Sequence, residues 1–140
     1  MQEIQIWNKK VWWDNPTFII AELSANHGWS IENAKRIIKE AADAWADAIK
    51  LQTYTADTMT IDCDKSDFQI NSWTAWDGKN LYELYWEAYT PWEWHKELKD
   101  YANSLWLELF STPFDETAVN FLESINVPCH KIASFENNDI

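Results

Sequence analysis

AADAWADAIKLQTY, residues 41–54, joins a helix end to a strand start in one short run. Upstream of it, Ser30 is placed to cap a helix, and Ile31, Ala34, Ile37, Ile38 and Ala41 recur on one helical face. Downstream, residues 48–54 alternate, with Lys50, Gln52 and Tyr54 on one side of a strand and Ile49, Leu51 and Thr53 on the other. So tight a connection calls for a left-handed residue at the helix end, ordinarily Gly or Asn. Trp45 stands there instead.

Strand and helix signals alternate along the rest of the chain, with no internal sequence repeat. Residues 4–13 (IQIWNKKVWW) predict a short hairpin with Asn8, Lys9 and Lys10 as its turn, and residues 18–23 (FIIAEL) predict an apolar strand. Residues 55–80 are polar and aperiodic, which predicts a long loop with short turns. LYELYWEAY predicts a short helix. The next helix opens on Thr90 as N-cap, Pro91 at the first position and Glu93 at the third. LELFSTP predicts a strand, Asp115 caps the helix ETAVNFLES, Asn126 ends it, and CHKIAS predicts a further strand. Strands alternating with helices indicate a parallel sheet with helices packed outside.

Composition narrows the partners. A formal net charge of -12 repels phosphate backbones, which argues against nucleic acid. Cys63 and Cys129 are too few for a disulfide framework, and no leader-like or membrane-spanning run is evident, so a soluble, cytoplasmic protein is expected. Two counts are abnormal. Gly is 2 and Trp is 11 of 140 residues, where about 7% Gly is usual.

Polar residues gather at the strand ends, where parallel α/β folds bind ligands. They are Glu22 followed by Asn26 and His27; Lys50, Gln52 and Tyr54; Ser111 and Thr112; and Lys131, Ser134 and Glu136. Lysines and hydroxyls suit an anionic small substrate, and carboxylates move protons. Plainer roles stand beside these: snorkelling for Lys50 and Lys131, a helix cap for Thr112, solvated strand ends for Glu22 and Glu136. His95, in a polar helix segment, is expected at the surface, and His130 is expected to be structural. The scattered histidines give no metal-ligand spacing.

The segments FIIAELSANHG, ADAIKLQTYTADTMTID, WDGKNLYELY, EAYTPWEWHKEL, ELFSTPFDETAVNFLES and VPCHKIASFENNDI together resemble the N-terminal half of the sialic acid (N-acetylneuraminate) synthase family, most of all its pseudaminic acid synthase branch. The resemblance implies the N-terminal half of a (β/α)8 TIM barrel, with a hairpin at about 4–13 and the first four β/α units over about 18–140. It implies a transferase that condenses phosphoenolpyruvate with a hexose-derived aldehyde sugar into a nine-carbon nonulosonic acid, releasing phosphate. By motif, Lys50, Thr112, Lys131 and Ser134 would hold phosphoenolpyruvate and Gln52 would face the sugar. Glu22 and Glu136 would serve proton transfer or sugar positioning, with Asn26, His27 and Tyr54 as further candidates. A divalent metal of the Mn or Mg type would polarise the aldehyde, its ligands lying beyond residue 140, and the full-length enzyme would be a homodimer completed by a C-terminal antifreeze-like domain.

Two departures from the family pattern follow. A chain stopping at Ile140 after four of eight strands leaves open sheet edges, so alone it is expected to be inactive and poorly stable. Trp7, Trp29, Trp45, Trp73 and Trp106 also stand where the family often has Gly, with Trp86 and either Trp12 or Trp13 as further cases; Trp76, Trp92 and Trp94 fit its motifs. This pattern is expected of a gene whose UGA codons mean glycine but were read as tryptophan. The alternatives are a sialic or legionaminic acid synthase, a synthase making a shorter keto sugar acid, an inactive remnant, and a Trp-rich carbohydrate-binding module, which would be a β-sandwich.

Overall fold

A computed structural model of the chain describes residues 4–6, 8–12, 14–71 and 76–138. An antiparallel hairpin, β1 (Ile4–Ile6) and β2 (Lys9–Val11), precedes a parallel sheet of β3 (Ile20–Glu22), β4 (Ala48–Thr53) and β5 (Glu108–Pro113) in the order β3-β4-β5. Ile6 pairs with Lys9 and Gln5 with Lys10. Both lysines therefore belong to the second strand rather than to the expected turn. The hairpin is tied to the sheet by an ion pair from Lys9 to Asp47, whose other carboxylate oxygen accepts the Ile19 N–H at 2.7 Å.

Helix α1 (Ile31–Asp43) starts as expected, with the Ser30 hydroxyl accepting the Asn33 N–H at 3.2 Å. Its apolar stripe meets α4 (Trp92–Ser104) over the sheet, and Leu23, Ile38, Ile49, Leu51, Leu98 and Leu109 form the fully buried core between them. Asp115 caps α5 (Glu116–Ser124) through the Thr117 and Ala118 N–H groups. The long loop carries the short turns expected of it. It holds a helical turn, α2 (Ala56–Met59), and leads into α3 (Leu81–Ala88), which Asn80 and Glu83 start with a reciprocal capping box.

Three further expectations are corrected. Pro91 has φ -52° and ψ 129°, outside the helix, so α4 begins one residue later than expected and the buried Thr90 hydroxyl caps nothing. His95 is fully buried rather than at the surface, because with Leu98 and Ala102 it lies on the face of α4 turned to the sheet. The expected fourth strand is reduced to a single bridge, Ser111 with His130, continued by the Lys131 N–H to the Ser111 carbonyl at 3.0 Å. A strand held on one side by a single bridge has too few ladder bonds to regularise.

Trp29, Trp45 and Trp106 have φ of 57°, 63° and 65°, the left-handed region natural to glycine. Trp45 and Trp106 each end a helix ahead of a strand, and they are 88% and 79% exposed. Asn126, expected as a terminator, has φ 55°. Trp86 differs, since it lies within α3, while Trp12 is not among the residues of positive φ. Trp7, Trp13 and Trp73 lie outside the described residues.

Candidate active site

Register places the chemistry. Glu22 aligns with Lys50, and Gln52 aligns with Thr112, across parallel pairs whose partners share a face. The Ser111–His130 bridge sets Lys131 beside Thr112. Strand alternation turns Ile49 and Leu51 to the helices, so Glu22, Lys50, Gln52, Thr112 and Lys131 occupy the opposite face towards the strands' carboxyl ends.

Within this row, Lys50 is 8% exposed, and its ammonium lies 3.3 Å from the Glu22 carboxylate, an ion pair with one buried and one solvated end. Thr112 is 2% exposed, and its hydroxyl has no hydrogen-bond partner. It is not the helix cap, which Asp115 supplies. A buried hydroxyl left without a partner costs stability, and a bound acceptor would recover that cost. Gln52, Tyr54, Lys131 and Ser134 line one cleft of about 380 Å³, with Phe114 and Tyr85 among its walls. Burial, reinforced by Tyr85, raises the Tyr54 phenol well above its usual range, so it stays protonated. Its ring stands edge-on to Tyr85 at 5.7 Å and to Phe114 at 5.5 Å, forming a rigid wall.

Residues 37–140 match the family model described as "NeuB family". The chain belongs to the NeuB family. It is 50% identical over 126 residues to pseudaminic acid synthase of Campylobacter jejuni and 48% identical over 125 residues to that of Helicobacter pylori, covering 90% and 89% of this chain. The chain spans 36% of the length of each of these relatives. The crystal structure of an N-acetylneuraminic acid synthetase from Leptospira borgpetersenii, solved with citrate, superposes with a TM-score of 0.78 at 34% identity, over 96% of this chain and 42% of that one. As a NeuB-family chain it has the α/β fold of the N-terminal part of a TIM barrel, preceded by a hairpin. That fold disposes of the β-sandwich expected for a carbohydrate-binding module. Trp29, one of the aromatics that reading needs, has its ring edge-on to Tyr89 at 5.1 Å.

Of the expected site residues, Glu22, Lys50 and Thr112 belong to the strand-end row but do not line the cleft, and three others stand off both. Glu136 opens a single 3-10 turn, Glu136–Asn138, just beyond Ser134. Asn26 braces its own loop, its amide donating to the Leu23 carbonyl at 3.1 Å. His27 is fully buried, accepts the Trp29 N–H on Nδ1 at 3.2 Å and meets Trp94 edge-on; its Nε2 has no hydrogen-bond partner, and it does not line the cleft. Its burial lowers the imidazole's pKa, against a smaller opposing effect of the Ala88 carbonyl. His130 bonds Glu123 at 2.7 Å, the structural role expected of it. Among the described residues no group of three or more His, Cys, Asp or Glu is placed to hold a metal. The aromatic walls Tyr85 and Phe114 were missed by sequence reasoning, since an aromatic next to a strand end reads equally as core.

Proposed function

We propose that this chain is the N-terminal part of a nonulosonic acid synthase of the pseudaminic type, and that its strand-end row is the seat of phosphoenolpyruvate. The observation that carries this reading is the register that aligns Lys50, Gln52, Thr112 and Lys131 on one face beside a cleft. Two ammonium groups suit a substrate bearing both a carboxylate and a phosphate. The Thr112 and Ser134 hydroxyls orient it, and Gln52 reaches towards the sugar. A larger cleft of about 840 Å³ sets Asp62, Asp64, Glu83 and Glu87 against the single cation Lys79, so its net negative lining would repel such a substrate.

In the reaction, C3 of phosphoenolpyruvate attacks the aldehyde carbon of a 6-deoxy diacetamido hexose derivative. Water adds at C2, and phosphate leaves by C–O cleavage. Glu22 beside Lys50 and Glu136 near Ser134 supply the carboxylates for proton transfer or sugar positioning. A divalent metal would polarise the aldehyde, with ligands proposed to lie on the rest of the barrel; the described residues hold no group of three or more His, Cys, Asp or Glu that could bind it. Cys63 and Cys129 are free thiols, in keeping with a cytoplasmic enzyme.

The test is phosphate release by the whole protein from phosphoenolpyruvate, with a divalent metal and each aldehyde sugar in turn. The diacetamido 6-deoxy sugar is expected to drive release far faster than N-acetylmannosamine. Faster release with N-acetylmannosamine would move the enzyme to the sialic acid type. No sugar-dependent release would overturn the synthase reading.

A further inference from the structure

Three fully buried polar side chains lie on the helix side of the sheet, behind the candidate site. Thr53 Oγ1 is 2.8 Å from His95 Nε2 and 2.6 Å from Ser111 Oγ, and His95 Nδ1 is 3.1 Å from the Pro91 carbonyl. All three residues are 0% exposed. The direction of the chain follows from its fixed end. A carbonyl only accepts, so His95 Nδ1 carries the hydrogen, and a neutral imidazole then accepts on Nε2. Thr53 must donate to His95, which leaves its oxygen to accept from the Ser111 hydroxyl. Burial pushes the His95 imidazole down to about 4, against smaller opposing effects of the Pro91 and Trp92 backbone and of Glu93, so it is neutral near pH 7.

Each member adjoins a residue of the proposed site. Thr53 lies between Gln52 and Tyr54, Ser111 precedes Thr112, and the Ser111 carbonyl holds the Lys131 N–H at 3.0 Å. The start of α4 is fixed to the same place, because the Trp92 indole donates to the Tyr54 carbonyl at 3.1 Å and both Trp92 and His95 pack on Phe121. We infer that the Ser111–Thr53–His95 chain is a positioning device that holds the strand ends carrying Gln52, Thr112 and Lys131 in the geometry that seats the substrate. The substrate is that of the proposed function, so this part of the inference rests on that reading. None of the three touches the substrate; they act through the residues beside them.

The experiment uses the whole protein with ¹⁵N-labelled histidine, together with Thr53→Val, Thr53→Ser and His95→Gln, the last to assign the signal. Nitrogen shifts are expected to show His95 neutral with hydrogen on Nδ1; hydrogen on Nε2 overturns the chain whether or not the protein condenses phosphoenolpyruvate. Thr53→Val, which removes the central hydroxyl at constant shape, is expected to move the Thr112 and Lys131 amide resonances. It should lower kcat/KM for phosphoenolpyruvate roughly 10- to 100-fold at temperatures where it stays folded, as loss of a buried hydrogen bond implies. Thr53→Ser should restore both. Folded Thr53→Val with unchanged resonances and wild-type kcat/KM would overturn the positioning role. The Nδ1 tautomer and the resonance shifts, found in a protein that condenses nothing, would overturn the function while leaving the device in place.

Discussion

At the scale of single residues, backbone conformation and side-chain identity disagree at three tryptophans. A bulky residue at positive φ costs on the order of 1–3 kcal/mol, while glycine pays instead in unfolded-state entropy. Trp45 and Trp106 are so exposed that truncation loses little burial. Trp45→Gly and Trp106→Gly are therefore each expected to raise stability by about 1 kcal/mol, read as a higher urea midpoint. Trp86→Gly, inside α3, should lower it by about 1 kcal/mol. The gene offers a separate reading: codons 29, 45 and 106 are expected to be UGA, and codons 76, 92 and 94 UGG. The conflict was legible in the sequence from context alone, because a helix end followed by a strand leaves room for few other conformations. His95 was not, because Glu93, Lys96 and Glu97 around it read as a solvated face. The spacing His95, Leu98, Ala102 held the signal, three and then four residues apart.

At the scale of elements, alternation along β4 placed both faces of the strand, with Lys50, Gln52 and Tyr54 away from the helices and Ile49, Leu51 and Thr53 towards them. Thr53 shows what alternation omits. A hydroxyl on a helix-facing position needs a partner, and that partner sits on a helix about forty residues later. Long-range polar pairing leaves no periodic trace. The start of α4 and the weak fourth strand were misplaced for a related reason, since the backbone at Pro91 and the sheet neighbours of His130 are set by tertiary context. Buried His95 also makes a pH prediction. Its folded pKa of about 4 lies below the unfolded value of 6.5, so between these the unfolded chain binds a proton that the folded chain refuses. Unfolding free energy should thus fall on acidification through that window, by about 3 kcal/mol in total, and stay flat from His95 above it. Denaturant titrations from pH 7 to 4 should show that slope, and His95→Gln should reduce it to the part contributed by His27, whose pKa burial also lowers. Asp47 acts in the same direction at lower pH. Desolvation works against its charge, but Lys9 and the Ile19 N–H outweigh it and hold the pKa low, so its contribution disappears only under stronger acid.

At the scale of the whole molecule, the α/β order, the parallel sheet, the helix-side core and the gathering of polar residues at strand ends were readable from the sequence, while the pairing of candidate site residues came only with register. Periodicity says which side a residue faces; register says which residue stands next to it. Ile19 and Ile20 on β3 and its flank, and Ile132 and Phe135 beyond the bridge, remain exposed at the two margins of the sheet. They mark the surfaces that the proposed remainder of the barrel would cover, and the cleft lined by Gln52, Lys131 and Ser134 lies on the strand-end side of the sheet.

The most direct measurement of the central claim is calorimetric titration of phosphoenolpyruvate into the whole protein and three variants. Lys131→Ala is expected to weaken binding roughly 10- to 100-fold, the loss of a charge-assisted contact. Thr112→Val should weaken it by about 10-fold, because it removes the buried hydroxyl that has no other partner. Glu87→Gln, in the larger acidic cleft, should leave affinity unchanged. Unchanged binding in Lys131→Ala and Thr112→Val, or a change confined to Glu87→Gln, would contradict the placement of the substrate on the strand-end row.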